Sequence, residues 1–490
     1  MKNMLKREIL FPVRIVLTEG NVEGAQHLCT PAPLQSSLGN YTRPYLTVKG
    51  KAAIVLDFGL EARAGLRIVT RSLASPNAIH KNKAALPTLP VHIRLGESVS
   101  ECCAELGEKN ATNDHSPRDF TAELVAMSDL TFGQSGFRFA RIDFPDPECE
   151  VSILAIAADG MTIGAQPNYV YSGPDAELSA IFAAAKRTID LCAAGDYVWD
   201  GIKRDRLVWI GDMHPELLAL TTLYGRTPMM DESIRFLRDT TPLNEWMCTI
   251  PTYSAWWLIV LADYYRMTGC EDLVRENAAY ALALIERFLE YVRPDGEITT
   301  YGLVDWPTHG TPDEPAGFHA VVLAMAKKAS ALFEALGLPG ADRAKELERR
   351  LMLTPITVTQ SMAVAGLKYF ALGELEQSDI DLMKAQGANG LSTFMSYYIL
   401  TAYARYFGAE AATGILKEYY MGMLSRGATT FWEDFHLAWL DGSGRIDELP
   451  APGEKDLHGD FGDFCYIGLR HSLCHAWSTG IIRYMYEHGL

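Results

Sequence analysis

The chain has no Cys-x-x-Cys pair and no histidine at zinc-ligand spacing from a cysteine. Its nine cysteines, at 29, 102, 103, 149, 192, 248, 270, 465 and 474, are odd in number. They read as buried or incidental thiols in a reducing compartment, with neither a disulfide framework nor a structural zinc site. Positive charge is also scarce: 44 Lys and Arg face 61 Asp and Glu, a formal charge of −17, and no basic run gathers into a patch. A phosphate surface repels such a protein, which excludes a nucleic-acid or anionic-membrane partner. Long apolar runs are missing too. The strongest, around Trp256 to Ala262, falls short of the ~20 residues that span a bilayer, and Pro12 and Arg14 interrupt the apolar start. The expectation is a cytoplasmic protein without a transmembrane segment or cofactor, its oligomeric state left open.

What is present is a long, foldable chain. Its 490 residues are 48% hydrophobic, 10% aromatic and 21% charged. That excludes disorder and suggests about two to four domains at roughly 100 to 200 residues each. Over the first part, short Val/Ile/Phe-rich runs (Ala53 to Phe58, Leu66 to Thr70, Val91 to Leu95, Phe137 to Phe144, Val151 to Ala157) alternate with Gly, Pro, Asn and Asp clusters. This pattern predicts an N-terminal antiparallel β-sandwich over 1–174. From Asp175 the apolar period changes to that of helices, and about twelve helical stretches follow, beginning near 175, 213, 230, 253, 271, 316, 340, 358, 376, 393, 410 and 468. At about 26 residues per helix and loop, they can close over 175–490 into a double-ringed (α/α)6 barrel or stack into an open solenoid.

All nine tryptophans lie in the helical part, many within two residues of a carboxylate. A sugar presents an apolar C–H face to stack on and a hydroxyl rim to hydrogen-bond, so this pairing suits a carbohydrate ligand. The segment from Trp199 to Glu216 packs Asp200, Asp205 and Asp212 among Arg204, Arg206 and Trp209. Carboxylates brought together raise one another's pKa, which keeps one protonated as a general acid, although Asp212 can equally cap the helix that follows it. Late in the chain, Glu433 follows Trp432 after a small-residue turn. If the barrel closes, that loop faces Asp205 across the mouth. Trp256 and Trp257 point about 100° apart on one helix, so at most one faces the cavity. Asn110 to His115 reads as a solvated loop, with reach to the barrel mouth as the alternative. His309, Asp313 and Glu314 have no defensible metal-ligand spacing.

In combination, several stretches resemble the α-L-rhamnosidase family of six-hairpin glycosidases. Asp200-x-x-x-Arg204-Asp205-Arg206-x-x-Trp209-x-Gly211-Asp212 resembles the family's acidic loop. Val304-Asp305-Trp306, Gly427 to Glu433 and Ser472 to Gly480 follow in the family's order, while Leu56 to Gly59 and Gly136 to Phe139 resemble its β-sandwich. The resemblance implies an inverting glycoside hydrolase that acts on a small carbohydrate without metal. It implies Asp205 as acid and Glu433 as base, with Asp200, Arg204, Trp209, Asp212, Asp305, Trp306 and His475 about the sugar; Trp257 and Trp432 join them as candidate sugar-binding residues from the tryptophan pattern. Two departures stand out: Asp205 occupies a position where the family usually has Glu, and Val208 one where it tends to have Gly. The alternatives are a hydrolase or lyase for another deoxy or acidic sugar, and a carbohydrate-binding protein without catalysis.

Overall fold

The computed structural model describes residues 4–36, 43–77 and 87–490. Seven strands, β1 (Leu5–Leu10), β2 (Arg14–Glu23), β3 (Leu46–Ala74), β4 (Thr88–Gly96), β5 (Asp119–Val125), β6 (Ser128–Phe144) and β7 (Glu150–Ile163), pair antiparallel in one sheet ordered β1-β7-β3-β6-β4-β5, with β2 also on β3. Two runs read as separate strands, 53 to 58 and 66 to 70, belong to one 29-residue strand, β3. Its first half pairs with β2, with β6 and, over Leu46 to Lys49, with β7; its second half pairs with β6 and β7, with register shifts against β6 between Asp57 and Ala62 and between Ala64 and Leu66. Leu56 and Ile68, on opposite sides of these shifts, enter the same apolar core, so the sheet wraps around it. The sequence pattern had indicated two sheets; here long bent strands serve both layers. The short helix α1 (Val99–Cys103) follows β4.

Twelve further α-helices occur among the described residues. They are α2 (Ala176–Cys192), α3 (Met213–Tyr224), α4 (Pro228–Thr240), α5 (Pro251–Thr268), α6 (Glu271–Tyr291), α7 (Glu314–Leu336), α8 (Ala341–Leu351), α9 (Met362–Leu372), α10 (Gln377–Gln386), α11 (Ser396–Phe407), α12 (Ala409–Ser425) and α13 (Ile481–Glu487). Asp175 starts the series as a true N-cap, its side chain accepting from the amides of Glu177 and Leu178. Alternate helices touch in sequence: α3 packs on α5, α5 on α7, α7 on α9, α9 on α11, α11 on α13, and α13 returns to α3. Their contact faces are almost wholly apolar, as helices covered on several sides require. The 23-residue α7 is long and apolar enough to cross a membrane by length and composition, yet 78% of its most apolar window is buried inside this fold, where it packs between α5 and α9.

The sheet region docks on the loops at the N-terminal ends of this series. Gly136 lies so close to the segment after α2 that a Cβ there would meet Ile202 Cγ1 at 2.5 Å and the Lys203 amide nitrogen at 2.8 Å. Beside it, Arg138 pairs with Asp57 at 2.8 and 2.9 Å and donates to the carbonyl of Gly427 at 2.7 Å. The sandwich motifs around Asp57 and Arg138 thus hold the loop that leads to Glu433.

Candidate active site

Three extended segments lie side by side at this end. His475 N donates to Phe431 O at 2.9 Å, Ala476 N to Asp200 O at 2.7 Å, and Glu433 N to Ser472 O at 2.9 Å. Their side chains, with those at the starts of α3, α5 and α13, surround a cavity of about 170 Å³. Asp200, Arg204, Asp205, Trp209, Asp212, Trp306, Glu433 and His475 all line it.

Arg204 organises the polar wall. Its Nη1 donates to Asp205 Oδ1 at 2.9 Å, its Nη2 contacts both oxygens of Glu433, and its Nε is tied to the carbonyl of Arg470 at 3.0 Å. Asp205 Oδ2 accepts from Trp209 Nε1 at 3.0 Å. This arrangement needs a tight backbone turn, and both Asp205 and Arg206 take left-handed φ values, 50° and 55°. Such a conformation costs about 1 to 3 kcal/mol per non-glycine residue, a strain that recurs where a site over-determines the chain.

Burial pushes the Glu433 carboxyl up against the opposing pull of Arg204 and of the Ser472 amide, which donates to it at 3.2 Å. Asp200 and Asp212 lack such a cation contact. Burial first, then the nearby Asp205, raises both well above the ordinary carboxylate range. Asp212 stands at the N-cap position of α3 but makes no capping hydrogen bond, so its carboxyl is left to the cavity. His475 Nε2 lies 3.8 Å from Asp200, 3.8 Å from Glu433 and 4.0 Å from Asp212. Burial and Arg204 hold this imidazole well below its usual pKa, hence neutral.

Three expected pocket residues lie elsewhere. Trp257 is fully buried on the far side of α5, its Nε1 donating to Ile234 O at 3.1 Å and its ring edge-on to Tyr280. Trp256 stacks on His214 below the cavity, so neither of the pair lines it. Trp432 turns into the core against Phe435 and His471, because consecutive residues of an extended segment face opposite ways and Glu433 takes the cavity side. Asp305 accepts from Thr308 N at 2.9 Å and faces a neighbouring cavity, for the same reason beside Trp306.

Other groups were not singled out from sequence. Tyr253, Tyr466 and Trp477 complete the aromatic wall, Trp209 meeting Tyr253 edge-on at 6.0 Å. Gly211 is what admits Tyr253, since a Cβ there would fall 2.3 Å from its ring. Glu216 lies one turn beyond Asp212 on α3, the spacing that could have flagged it. It is buried with one oxygen unpartnered, and burial raises it well above its usual range. The 110–115 loop is more than solvated: Asp205 N donates to His115 Nδ1 at 2.5 Å, and Asp114 pairs with Arg470 at 3.0 Å.

Two metal-like groupings are filled by the protein itself. Glu97, Glu101 and His458 converge, but the Lys203 ammonium sits 3.1 Å from an oxygen of each glutamate. Asp313 accepts from Thr359, Gln360 and Ser361, which ties it to the start of α9, while His309 bonds Glu314 at 2.8 Å. A larger cavity, about 570 Å³, lies along 295–302 and the start of α7, away from the convergent carboxylates.

No family model matches the sequence, and no curated protein matches it. Solved structures do share the fold. A rhamnosidase from Klebsiella oxytoca with rhamnose bound superposes with TM-score 0.73 at 18% identity, over 99% of this chain and 96% of that one. A GH78 family rhamnosidase of Bacillus sp. GL1 gives TM-score 0.68 at 17% identity, over 94% of this chain and 48% of that one. The α-L-rhamnosidase of Streptomyces avermitilis, complexed with L-rhamnose, gives 0.62 at 14%, over 91% and 44%. The chain has the fold of these rhamnosidases and spans about half the length of the last two.

Proposed function

We propose that this protein is an inverting glycoside hydrolase that removes terminal α-L-rhamnosyl residues from small glycosides or oligosaccharides. One observation carries the reading: four carboxylates, two guanidinium groups, a neutral imidazole and several aromatic rings converge on a cavity suited to a single sugar ring. Two solved structures that share the fold carry rhamnose. We read the ring of alternate helices as the (α/α)6 barrel of residues 175–490, with 1–174 as the sheet domain, and the nine free cysteines as those of a cytoplasmic protein.

In this reading the sugar stands on the buried floor, where Asp200 and Asp212, kept neutral by burial, exchange hydrogen bonds with its hydroxyls. Trp209, Tyr253, Trp306 and Trp477 present rings to its C–H faces. Glu433, held by Arg204 and the Ser472 amide, takes a proton from the attacking water. Asp205 is the carboxylate nearest solvent, its side chain 20% exposed against 3% and 6% for Asp200 and Asp212. It therefore stands where a leaving group departs and donates the proton. No metal is called on in this sequence of steps.

A second assignment of the acid has its own support. Both oxygens of Asp205 are already engaged as hydrogen-bond acceptors, by Arg204 and Trp209, whereas the Asp212 carboxyl accepts no hydrogen bond and is raised well above its ordinary range by burial. Comparing Asp205→Asn with Asp212→Asn on rhamnosides with poor and with activated leaving groups decides between them. The true acid variant loses the poor leaving groups and spares the activated ones. The overall reading is tested by an aryl glycoside panel with proton NMR of the first-formed sugar. Turnover of the α-L-rhamnoside with inverted product is expected. Retained configuration would remove Glu433 as base, and binding of rhamnose without turnover on any substrate would make the protein a carbohydrate-binding one.

A further inference from the structure

Three consecutive residues of the sheet region, in the turn between α1 and β5, reach the loops of the cavity. The turn holds its own shape, since Asn113 Oδ1 accepts from the amides of Arg118 and Asp119, each at 3.0 Å. From it, Asp114 meets Arg470 at 3.0 Å, and the Arg470 carbonyl accepts in turn from Arg204 Nε. The buried Ser116 donates to the carbonyl of Lys203 at 2.6 Å. Between these two, His115 Nδ1 accepts from the Asp205 amide at 2.5 Å and stands 3.0 Å from Asp205 Oδ1.

The contact meets both chains where they are strained. His115 has φ 66°, opposite the 50° and 55° of Asp205 and Arg206. Left-handed residues that are not glycine persist only where their surroundings over-determine them. Here the sheet region grips both residues of the turn: His115 takes the Asp205 amide, which has no acceptor in its own loop, and Gln134 O on β6 takes Arg206 Nη1 at 3.1 Å. His115 is no core residue, for its side chain is 40% exposed and its Nε2 has no partner among the described residues. It acts through the one nitrogen that faces Asp205. An aspartate has a single methylene between its backbone and its carboxyl, so the position of the turn fixes how far that carboxyl extends. General acid catalysis depends on that reach, because a proton passes only across hydrogen-bond distance.

We propose that His115 is a positioning residue for the acid: by taking the Asp205 amide it sets the turn from which the Asp205 carboxyl reaches the leaving oxygen. The inference rests on the reading of Asp205 as acid given above. Wild type, His115→Ala, His115→Asn and Asp205→Asn are compared on methyl α-L-rhamnoside, whose leaving group needs a proton, and on 4-nitrophenyl α-L-rhamnoside, whose leaving group needs little help. His115→Ala is expected to lower kcat on the methyl glycoside about 100-fold, with KM within about twofold and the aryl substrate within about threefold. Asparagine tolerates a left-handed backbone and offers a side-chain acceptor, so His115→Asn should recover most of the loss. In the His115→Ala background, Asp205→Glu should raise activity on the methyl glycoside, its longer arm standing in for the lost turn; in wild type it should not. Equal loss on both substrates without recovery by asparagine would mark a merely structural residue and overturn the proposal. So would an unchanged His115→Ala when Asp205→Asn loses the methyl glycoside. If Asp205→Asn does not distinguish the two substrates, another residue is the acid and the proposal falls with that assignment. If wild type turns over neither rhamnoside, the functional reading has failed separately, and hydrogen exchange at the Asp205 amide then decides the contact. Faster exchange in His115→Ala, slowed again in His115→Asn, keeps His115 as the holder of this turn, and unchanged exchange removes it.

Discussion

Arg204 divides the carboxylates in and around the cavity into two groups. On one side, Asp205 and Glu433 share its guanidinium; on the other, Asp200, Asp212 and Glu216 are buried against the start of α3 with no cation in contact. All but Glu433 come from one stretch of seventeen residues, 200–216. The difference lies in placement: on Glu433 the guanidinium opposes the upward push of burial, whereas on Asp200, Asp212 and Glu216 burial acts with no cation in contact. In the proposed mechanism, water activation and sugar binding then use the same residue type within one small cavity.

The largest expected effect falls on the side that Arg204 contacts. Glu433→Gln removes the proposed base and should lower kcat by roughly 10² to 10⁴-fold while rhamnose binding, read by calorimetry, changes little. A variant retaining near wild-type kcat would show that the two groups do not divide the work as described.

Next comes the clamp from the sheet region. Lys203, the neighbour of Arg204, is buried between Glu97 and Glu101 and also donates to the carbonyl of Leu469. Lys203→Met leaves those carboxylates without their cation and should cost about 3 to 5 kcal/mol in denaturant unfolding. Glu97→Gln, which keeps the shape, should cost less; equal loss in the two variants would mean that shape and not charge matters there.

The neutral side gives a pH signature. Asp200, Asp212 and Glu216 are raised in the folded state, and Glu97 is pushed up to about 7 by burial. Between the unfolded pKa of these groups, about 4, and the raised folded values, the folded chain holds more protons than the unfolded one. Stability should therefore fall as pH rises through that window. Asp212→Asn should flatten the fall and raise Tm at neutral pH, since the amide needs no proton to stay uncharged. A slope unchanged by the substitution would place the Asp212 charge elsewhere.

The smallest effect tests a residue outside the cavity. Trp257→Phe removes a hydrogen bond and some packing volume behind α5, about 1 to 2 kcal/mol of stability, and should leave KM unaltered. Trp306→Phe, on the cavity wall, should do the reverse and raise KM.

Much of this was legible in the amino-acid pattern. The helix starts near 175, 213, 271, 340, 376 and 410 coincide within a residue or two with α2, α3, α6, α8, α10 and α12, because turn residues and apolar period act locally. β1, β2 and β5 escaped notice: they are short or edge strands with half-exposed faces, and their alternation is weak. Eight of the eleven candidate residues reach the cavity, five of them carried by the 199–212 loop, whose composition leaves no room for helix, and Trp306, Glu433 and His475 by three later segments. Trp257, Trp432 and Asp305 did not, because adjacent residues share composition but not direction, and direction depends on which face a neighbour covers.

The sequence by itself determined the order of elements, the acidic loop and the residue types available to a site, since these depend on interactions within a few residues. Only the tertiary structure decided that α13 returns to α3, that Arg204 reaches Glu433 across 229 positions, and that His115 and Glu97 of the sheet region brace the same loops. Charge state belongs to that second class. An Asp carries the same carboxyl wherever it stands, but the water removed and the guanidinium placed beside it set whether it holds a proton, and both come from parts of the chain far away in sequence.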